Sequence, residues 1–434
     1  MYPSASPLSD WLAWLETLSP SEINLGLERT QRVLERLELQ RPPHVLLIAG
    51  TNGKGSSVAM TNALLRATGL RTGAYTSPHI TDYNERIVVD GVAVSDAGII
   101  AAFERVEAAR EGSELTYFEF GTLAAAVVFS DADLDVWILE VGLGGRLDAT
   151  NAIEPTASLI TNVSLDHCDW LGDDVETIAV EKAGVMRSEV PTVFGDVDIP
   201  TSIVRRAAEC GAKLLRAGQD FKLHIDEGET WSWRGPSRAI EGLRRPGLLG
   251  EFQLRNAAAV VMLLESVGLA GKIDAGLINK VLPGITLPGR VQCMKISGLG
   301  SGTNEWLIDV AHNPAAASAL ANTLDSLECN GKTIAIVGLL DDKDLAGVIA
   351  SLAPQIDQWI AMTAASHRAI PAGELARQIA NFTGRACLVA DSTAIAVELA
   401  RRTASENDRI LTTGSFFTVG PVLDQLEIFS RTQS

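Results

Sequence analysis

The stretch Leu47-Ile48-Ala49-Gly50-Thr51-Asn52-Gly53-Lys54-Gly55-Ser56-Ser57 has the residues to hold a phosphate. Its glycines let backbone N–H groups approach an anion and Lys54 neutralises charge. The helical pattern that follows puts a positive helix end at the same place. Two positions depart from the generic G-x-x-x-x-G-K-[ST] loop. Ile48 stands where the first glycine belongs, and Gly55 separates Lys54 from the hydroxyls of Ser56 and Ser57. Lysine, hydroxyls and helix in register still predict nucleotide binding.

Three further segments place metal-capable side chains where predicted strands end. Pro78 forces Ser77 out of helical backbone, so Thr76-Ser77-Pro78-His79 is a loop. Glu140 sits near the end of the apolar run Leu134 to Val141, where a carboxylate is costly unless paired or metal-bound. Ser164-Leu165-Asp166-His167 follows a strand predicted over Ser158 to Asn162. One hydroxyl, one carboxylate and one imidazole form a sparse set. It suits Mg²⁺, which keeps waters and phosphate oxygens, and not zinc, which takes three or four His or Cys ligands. A cradle with Mg²⁺ activates a γ-phosphoryl group for in-line transfer. By pattern alone Lys182, on a helix from near Val175 to Gly184, reads as a solvated surface group. No hydrolase elbow or acid pair accompanies His312. Kinases, ATPases and acyl-phosphate ligases all fit at this level.

The elements that must position these groups are those of an α/β protein. Helices are predicted from Leu8 to Leu18, through Leu37, over Gly121 to Phe129 and from Phe252 to near Gly268. Strands are predicted at Val45 to Ala49 and Thr72 to Thr76, and Leu214 to Trp233 alternates like an antiparallel ribbon on the domain's edge. Leu287-Pro288-Gly289-Arg290 and Gly298-Leu299-Gly300-Ser301-Gly302 mark a boundary. Beyond it, strands at Trp306 to Val310, Thr333 to Val337, Trp359 to Met362, Cys387 to Ala390 and Ile410 to Leu411 alternate with helical patterns. The expected architecture is a P-loop doubly wound sheet domain over 1–290 with a small antiparallel edge sheet. A linker at about 291–302 then leads to a smaller Rossmann-like α/β domain over 303–434.

A chain of 434 residues exceeds the size at which single cores stop growing, which agrees with two domains. Its net charge of −18 argues against a nucleic-acid partner and leaves any anionic substrate to local cations. Five cysteines without C-x-x-C spacing suggest neither disulfides nor zinc, so a reducing cytoplasm is expected. No leader and no membrane span is expected either.

Seven segments, in order, resemble the Mur ligase superfamily, within it folylpolyglutamate synthases, and most closely the bacterial bifunctional dihydrofolate synthase/folylpolyglutamate synthases. They are Gly50-Thr51-Asn52-Gly53-Lys54-Gly55-Ser56, Thr76-Ser77-Pro78-His79, Glu140 to Asn151, Leu165-Asp166-His167, Glu181-Lys182-Ala183-Gly184, Leu287-Pro288-Gly289-Arg290 and Asp309-Val310-Ala311-His312-Asn313-Pro314. The resemblance implies an ATP-dependent ligase that adds L-glutamate to dihydropteroate or to the γ-carboxylate of folates, tetrahydrofolate derivatives included, through an acyl phosphate. It implies that Thr51, Asn52, Gly53, Lys54, Gly55 and Ser56 bind ATP, with Asn256, Arg290 and Asp309 as further contacts. Ser77, Glu140 and His167 would hold Mg²⁺, two ions in all. Lys182 would be carbamylated and bridge metal, which reverses the surface reading. His312 and Asp309 join Lys54 and Lys182 as catalytic candidates, His312 near the incoming glutamate. Leu25, Gly26, Thr76, Thr116, Tyr117, Phe118, Glu119, Leu147, Asp148 and Ala149 fall at pterin positions. Asn24 stands where the bifunctional pattern has Asp, against the dihydrofolate synthase half.

The resemblance further implies a monomer whose domains close on substrate and exclude water. A peptidoglycan Mur ligase would carry a UDP-sugar domain before the loop, where only a short segment stands. A non-catalytic P-loop module would not need the Asp309 and His312 strand end.

Overall fold

The structure, a computed structural model, describes residues 6–19, 24–226, 230–297 and 303–426. The chain divides into two compact units. One comprises 1–163, 173–246 and 254–285, and the other 164–172, 247–253 and 286–434.

The first unit is built on β1 (His44–Ala49), β2 (Thr72–Tyr75), β3 (Ile87–Val89), β4 (Val92–Ala93), β5 (Val136–Glu140), β6 (Ala157–Ile160), β7 (Pro191–Phe194) and β8 (Lys213–Arg216). They form one sheet in the order β4-β3-β2-β5-β1-β6-β7-β8, parallel from β2 to β8. β1 and β5 are buried almost throughout, as continuous apolar runs between parallel neighbours should be. Trp11 and Leu15 of the helix Leu8–Glu16 join Phe103, Phe120, Phe129 and Trp137 in the core. Pro20 to Ile23, in the stretch that leads into the second N-terminal helix, lie outside the described residues; that helix is Glu28–Leu37.

Two boundaries differ from expectation. The Ala-rich helix begins at Tyr117 rather than Gly121, because Thr116 and Glu119 form a capping box. Tyr117, Phe118 and Glu119 are therefore its first turn. Lys213–Arg216 pairs in parallel with β7, so it extends the main sheet. The antiparallel ribbon starts later, as β9 (Lys222–Ile225), β10 (Thr230–Arg234) and β11 (Ala239–Arg244), and forms a sheet of its own. Trp233 fastens it by donating from Nε1 to the Ala258 carbonyl of the helix Glu251–Ser266 at 3.1 Å.

The second unit carries β12 (Gln292–Ser297), β13 (Thr303–Ile308), β14 (Thr333–Val337), β15 (Gln358–Met362), β16 (Cys387–Ala390) and β17 (Arg409–Thr413), in the order β12-β13-β17-β14-β15-β16. All neighbours are parallel except β12 and β13. Within the stretch read as linker, 292–297 is thus strand, and Gly298 to Gly302 lie outside the described residues.

Candidate active site

The phosphate loop leaves β1 at its C-terminal end, where open parallel sheets place ligands. Gly53 has φ +85° and starts the helix Lys54–Ala67 with no side-chain cap, so the first helical N–H groups are not closed off by their own cap residue. Only glycine suits two positions. A Cβ at Gly50 would lie 1.8 Å from Thr161 Oγ1, and one at Gly53 2.7 Å from Asn256 Oδ1. The loop is braced from the end of β6. Thr51 donates to the Asn162 carbonyl, Asn52 to Asn162 Oδ1, each at 3.0 Å, and Thr161 Oγ1 donates to the Asn52 carbonyl at 2.7 Å. Lys54 Nζ reaches back to the Gly50 and Thr51 carbonyls at 3.1 and 3.2 Å. Asn256 is buried against this turn, and Ser56 is buried within the helix.

Register puts Glu140 beside Ile48, at the edge from which the loop springs. Ser77 follows β2, and its N–H donates to Glu140 Oε2 at 3.1 Å. The structure therefore brings loop, Ser77 and Glu140 to one sheet edge. The Gly-rich segment after Glu140 is folded by Asp148, whose carboxylate accepts from Leu143 N–H, Thr150 N–H and Thr150 Oγ1. Burial pushes the Asp148 carboxyl up, against the pull of these bonds. The segment docks on the end of the helix Val175–Ala183. Arg146 N–H donates to the Glu181 carbonyl at 2.8 Å, and a Cβ at Gly145 would meet the Glu181 and Lys182 carbonyls. Lys182 is buried there, which corrects the surface reading that helical pattern alone gives.

The expected pterin positions also gather. Ala149 opens a short turn, with Leu147 just before it, that packs on the helices Glu28–Leu37 and Tyr117–Asp131. Leu25 and Gly26 precede the first of these helices, and Thr76 follows β2. Phe118 lies against Gly142, where a Cβ would be 2.6 Å from its ring. Glu119 is committed to structure. It accepts from Thr116 N–H, Arg29 Nε and Thr30 Oγ1 at 2.8, 2.9 and 3.0 Å, and Arg29 also donates to the Asn24 carbonyl. Glu119→Ala is expected to cost about 3 kcal/mol of folding stability, read by chemical denaturation, since it unmakes a buried pair and a helix cap. An unchanged unfolding midpoint would return Glu119 to the ligand-contact set.

In the second unit, Asp309 directly follows β13 and accepts from Val291 and Ala311 N–H at 2.9 and 2.8 Å. Burial raises its carboxyl, offset by the Arg290 charge. The Arg290 guanidinium lies 5.1 Å from the Phe416 ring centroid. His312 Nδ1 is 2.8 Å from the Val310 carbonyl, which can only accept, so that nitrogen carries a proton. Its Nε2 lies 3.4 Å from Asp166 Oδ2. Asp166 also takes Lys343 Nζ at 2.9 Å and Asn313 Nδ2 at 3.0 Å. Burial alone would raise Asp166, but the His312 bond and the charges of His312, His167 and Lys343 hold it well below the usual carboxylate range. These ties place 164–172 in the second unit, whereas the sequence reading has it inside 1–290. His167 belongs to this segment, at φ +52° with its N–H on Asp166 Oδ1, and so is assigned to the second unit, while Ser77 and Glu140 are assigned to the first.

Among the described residues no three His, Cys, Asp or Glu side chains group to hold an ion by themselves. A buried carboxylate beside a hydroxyl loop at the phosphate cradle is the hard-oxygen donor set of a metal that keeps waters and phosphate oxygens. The site fits Mg²⁺ on those grounds.

A model of the Mur ligase middle domain matches residues 48–264, and one of the Mur ligase glutamate ligase domain matches 289–416. The dihydrofolate synthase/folylpolyglutamate synthase of Escherichia coli K12 is 39% identical over 425 residues, covering 98% of this chain and 96% of the relative. The chain belongs to the dihydrofolate synthase/folylpolyglutamate synthase family of Mur ligases. The structure of E. coli FolC in complex with DHPP and ADP aligns over 100% of both chains with a TM-score of 0.90 at 38% identity. A bifunctional folylpolyglutamate synthase/dihydrofolate synthase with Mn, AMPPNP and L-glutamate bound covers 99% of this chain and 100% of its own, with a TM-score of 0.89 at 40% identity. This Mur ligase also has residues at the site that motif reasoning passed over. Thr161 and Asn162 brace the loop, and Asp166, Asn313 and Lys343 surround His312. Asp166 and Asn313 lie inside the resembling motifs, so for these two the signal was position without a partner.

Proposed function

We propose that this Mur ligase joins L-glutamate to dihydropteroate, forming dihydrofolate, and to the γ-carboxylate of folates, consuming ATP and releasing ADP and phosphate. The observation that carries this reading is the shared sheet edge of the Lys54 loop and the Ser77–Glu140 pair, in a chain with full-length relatives of that activity. A carboxylate is a poor acyl donor, and phosphorylation supplies its leaving group. The glutamate amine then displaces phosphate from the acyl phosphate.

The loop residues Thr51 to Ser56 would cradle the ATP phosphates, with Asn256, Arg290 and Asp309 as further contacts. Ser77, Glu140, His167 and Lys182 would hold Mg²⁺, which neutralises phosphate charge when bound. Lys182 is buried, and carbamylation would turn that cation into the anionic ligand a metal needs. Leu25, Gly26, Thr76, Thr116 to Phe118 and Leu147 to Ala149 would line the pterin site. The working protein would be a cytoplasmic monomer, its P-loop domain (1–290) and C-terminal domain (303–434) closing over substrate. Among the described residues no helix is long and apolar enough to cross a membrane.

Asn24, where the bifunctional pattern has Asp, favours a second reading with folylpolyglutamate synthase activity alone. An ADP-release assay offering dihydropteroate and tetrahydrofolate separately with glutamate decides. Glutamate-dependent release with both acceptors is expected. Release with tetrahydrofolate only would establish the second reading, and release with neither would overturn both.

A further inference from the structure

Arg86 is a buried cation whose surroundings do not neutralise it. It ends the short turn Tyr83–Arg86, and its carbonyl accepts from Thr76 N–H at 2.9 Å, next to Ser77. The residue is 8% exposed. Nε donates to His79 Nδ1 at 2.8 Å, and the guanidinium carbon lies 5.3 and 5.6 Å from the ring centroids of Tyr83 and Tyr117. Among the described residues no carboxylate oxygen comes within 4.0 Å of it. Nearby acids are engaged elsewhere. Glu85 accepts from the N–H groups of Ile80, Thr81 and Asp82, Glu140 from Ser77, and Asp148 from Leu143 and Thr150.

A desolvated guanidinium is costly unless an anion meets it, and π faces, one imidazole lone pair and the neutral Tyr75 hydroxyl offset only part of that cost. A second buried polar group points the same way, for the Tyr83 hydroxyl has no hydrogen-bond partner among the described residues. Gly121 keeps space there, since a Cβ would come 2.6 Å from that hydroxyl and 3.2 Å from the Tyr75 hydroxyl. Cation, phenols and an absent side chain thus converge beside the Ser77 loop and the first turn of the helix Tyr117–Asp131. A planar fork of this kind matches a carboxylate.

We propose that Arg86 binds the carboxylate of the pteroyl or folyl substrate that is to be activated, with Tyr83 and Tyr117 walling the guanidinium. This rests on the proposed function, and it assigns to that site the cation that a chain of net charge −18 must supply locally. A purely structural cation–π contact would give no preference for an acid over its neutral analogue.

The test compares equilibrium binding of dihydropteroate and of its neutral carboxamide. The natural enzyme should prefer the acid by about tenfold or more, the worth of a charge-assisted bond. Arg86→Gln should bring that ratio toward one, Arg86→Lys should restore part of it, and the KM for ATP should hold in both variants. A ratio unchanged in Arg86→Gln, or in the equally neutral Arg86→Met in case the first fails to fold, overturns the assignment. Selective loss of ATP affinity overturns it too. If neither ligand binds the natural enzyme while ATP does, the dihydropteroate half of the proposed function falls together with this inference. That outcome is separate from an intact acid preference in the variants, which removes the Arg86 role alone.

Discussion

Lys54→Ala is expected to lower glutamate-dependent ADP release roughly 10²–10³-fold, the usual effect of removing one preorganised donor from developing charge. The ammonium is a cation of the loop itself, holding to the Gly50 and Thr51 carbonyls four and three residues back. Alanine is the best helix former and occupies the first helical position, so the helix should persist. The bracing bonds from Asn162 and Thr161 do not involve the lysine side chain. The loss should therefore appear in turnover with either acceptor and not in the thermal midpoint. Turnover at the natural level would remove Lys54 from the phosphate site.

His312→Ala is expected to reduce kcat by about 10²-fold, the lower range for a positioned proton-transfer or charge-stabilising group. Binding of a non-hydrolysable ATP analogue should stay nearly constant. The geometry supports this split. The Val310 carbonyl fixes the Nδ1 proton, which leaves Nε2 toward the Asp166 carboxylate and the segment it anchors. Asp166 keeps Lys343 and Asn313 after the substitution, so its burial stays compensated. A loss confined to ATP affinity, with kcat preserved at saturation, would move His312 out of the reacting shell.

What could be read ahead of the structure was local. Lysine, glycines and hydroxyls ahead of a helical pattern identify a phosphate loop because the features that bind the anion are contiguous. Glu140 was legible because an acid in an apolar run has few explanations, and its Ser77 contact follows from adjacent strands. The start of the helix at Tyr117 was legible too, in the Thr116-x-x-Glu119 capping box, but the Ala-rich run drew the boundary to Gly121.

Long-range closure decided the rest. Helical periodicity cannot show that Gly145 and Arg146 cover the end of the helix bearing Lys182. Nor can alternation show that Lys213–Arg216 finds β7 as its neighbour instead of the ribbon. Arg86 gave no motif signal, because its interest lies in the anion that its neighbours fail to provide.

The ion pair between Asp166 and Lys343 spans 177 positions of sequence. A ribosome therefore delivers the acid long before its counter-charge, and the early half of the chain has to wait with that carboxylate still hydrated. A fragment ending at residue 290 would strand Asp166 without Lys343, His312 or Asn313. The two compact units are interleaved along the chain, and no single cut of the polypeptide yields both of them whole.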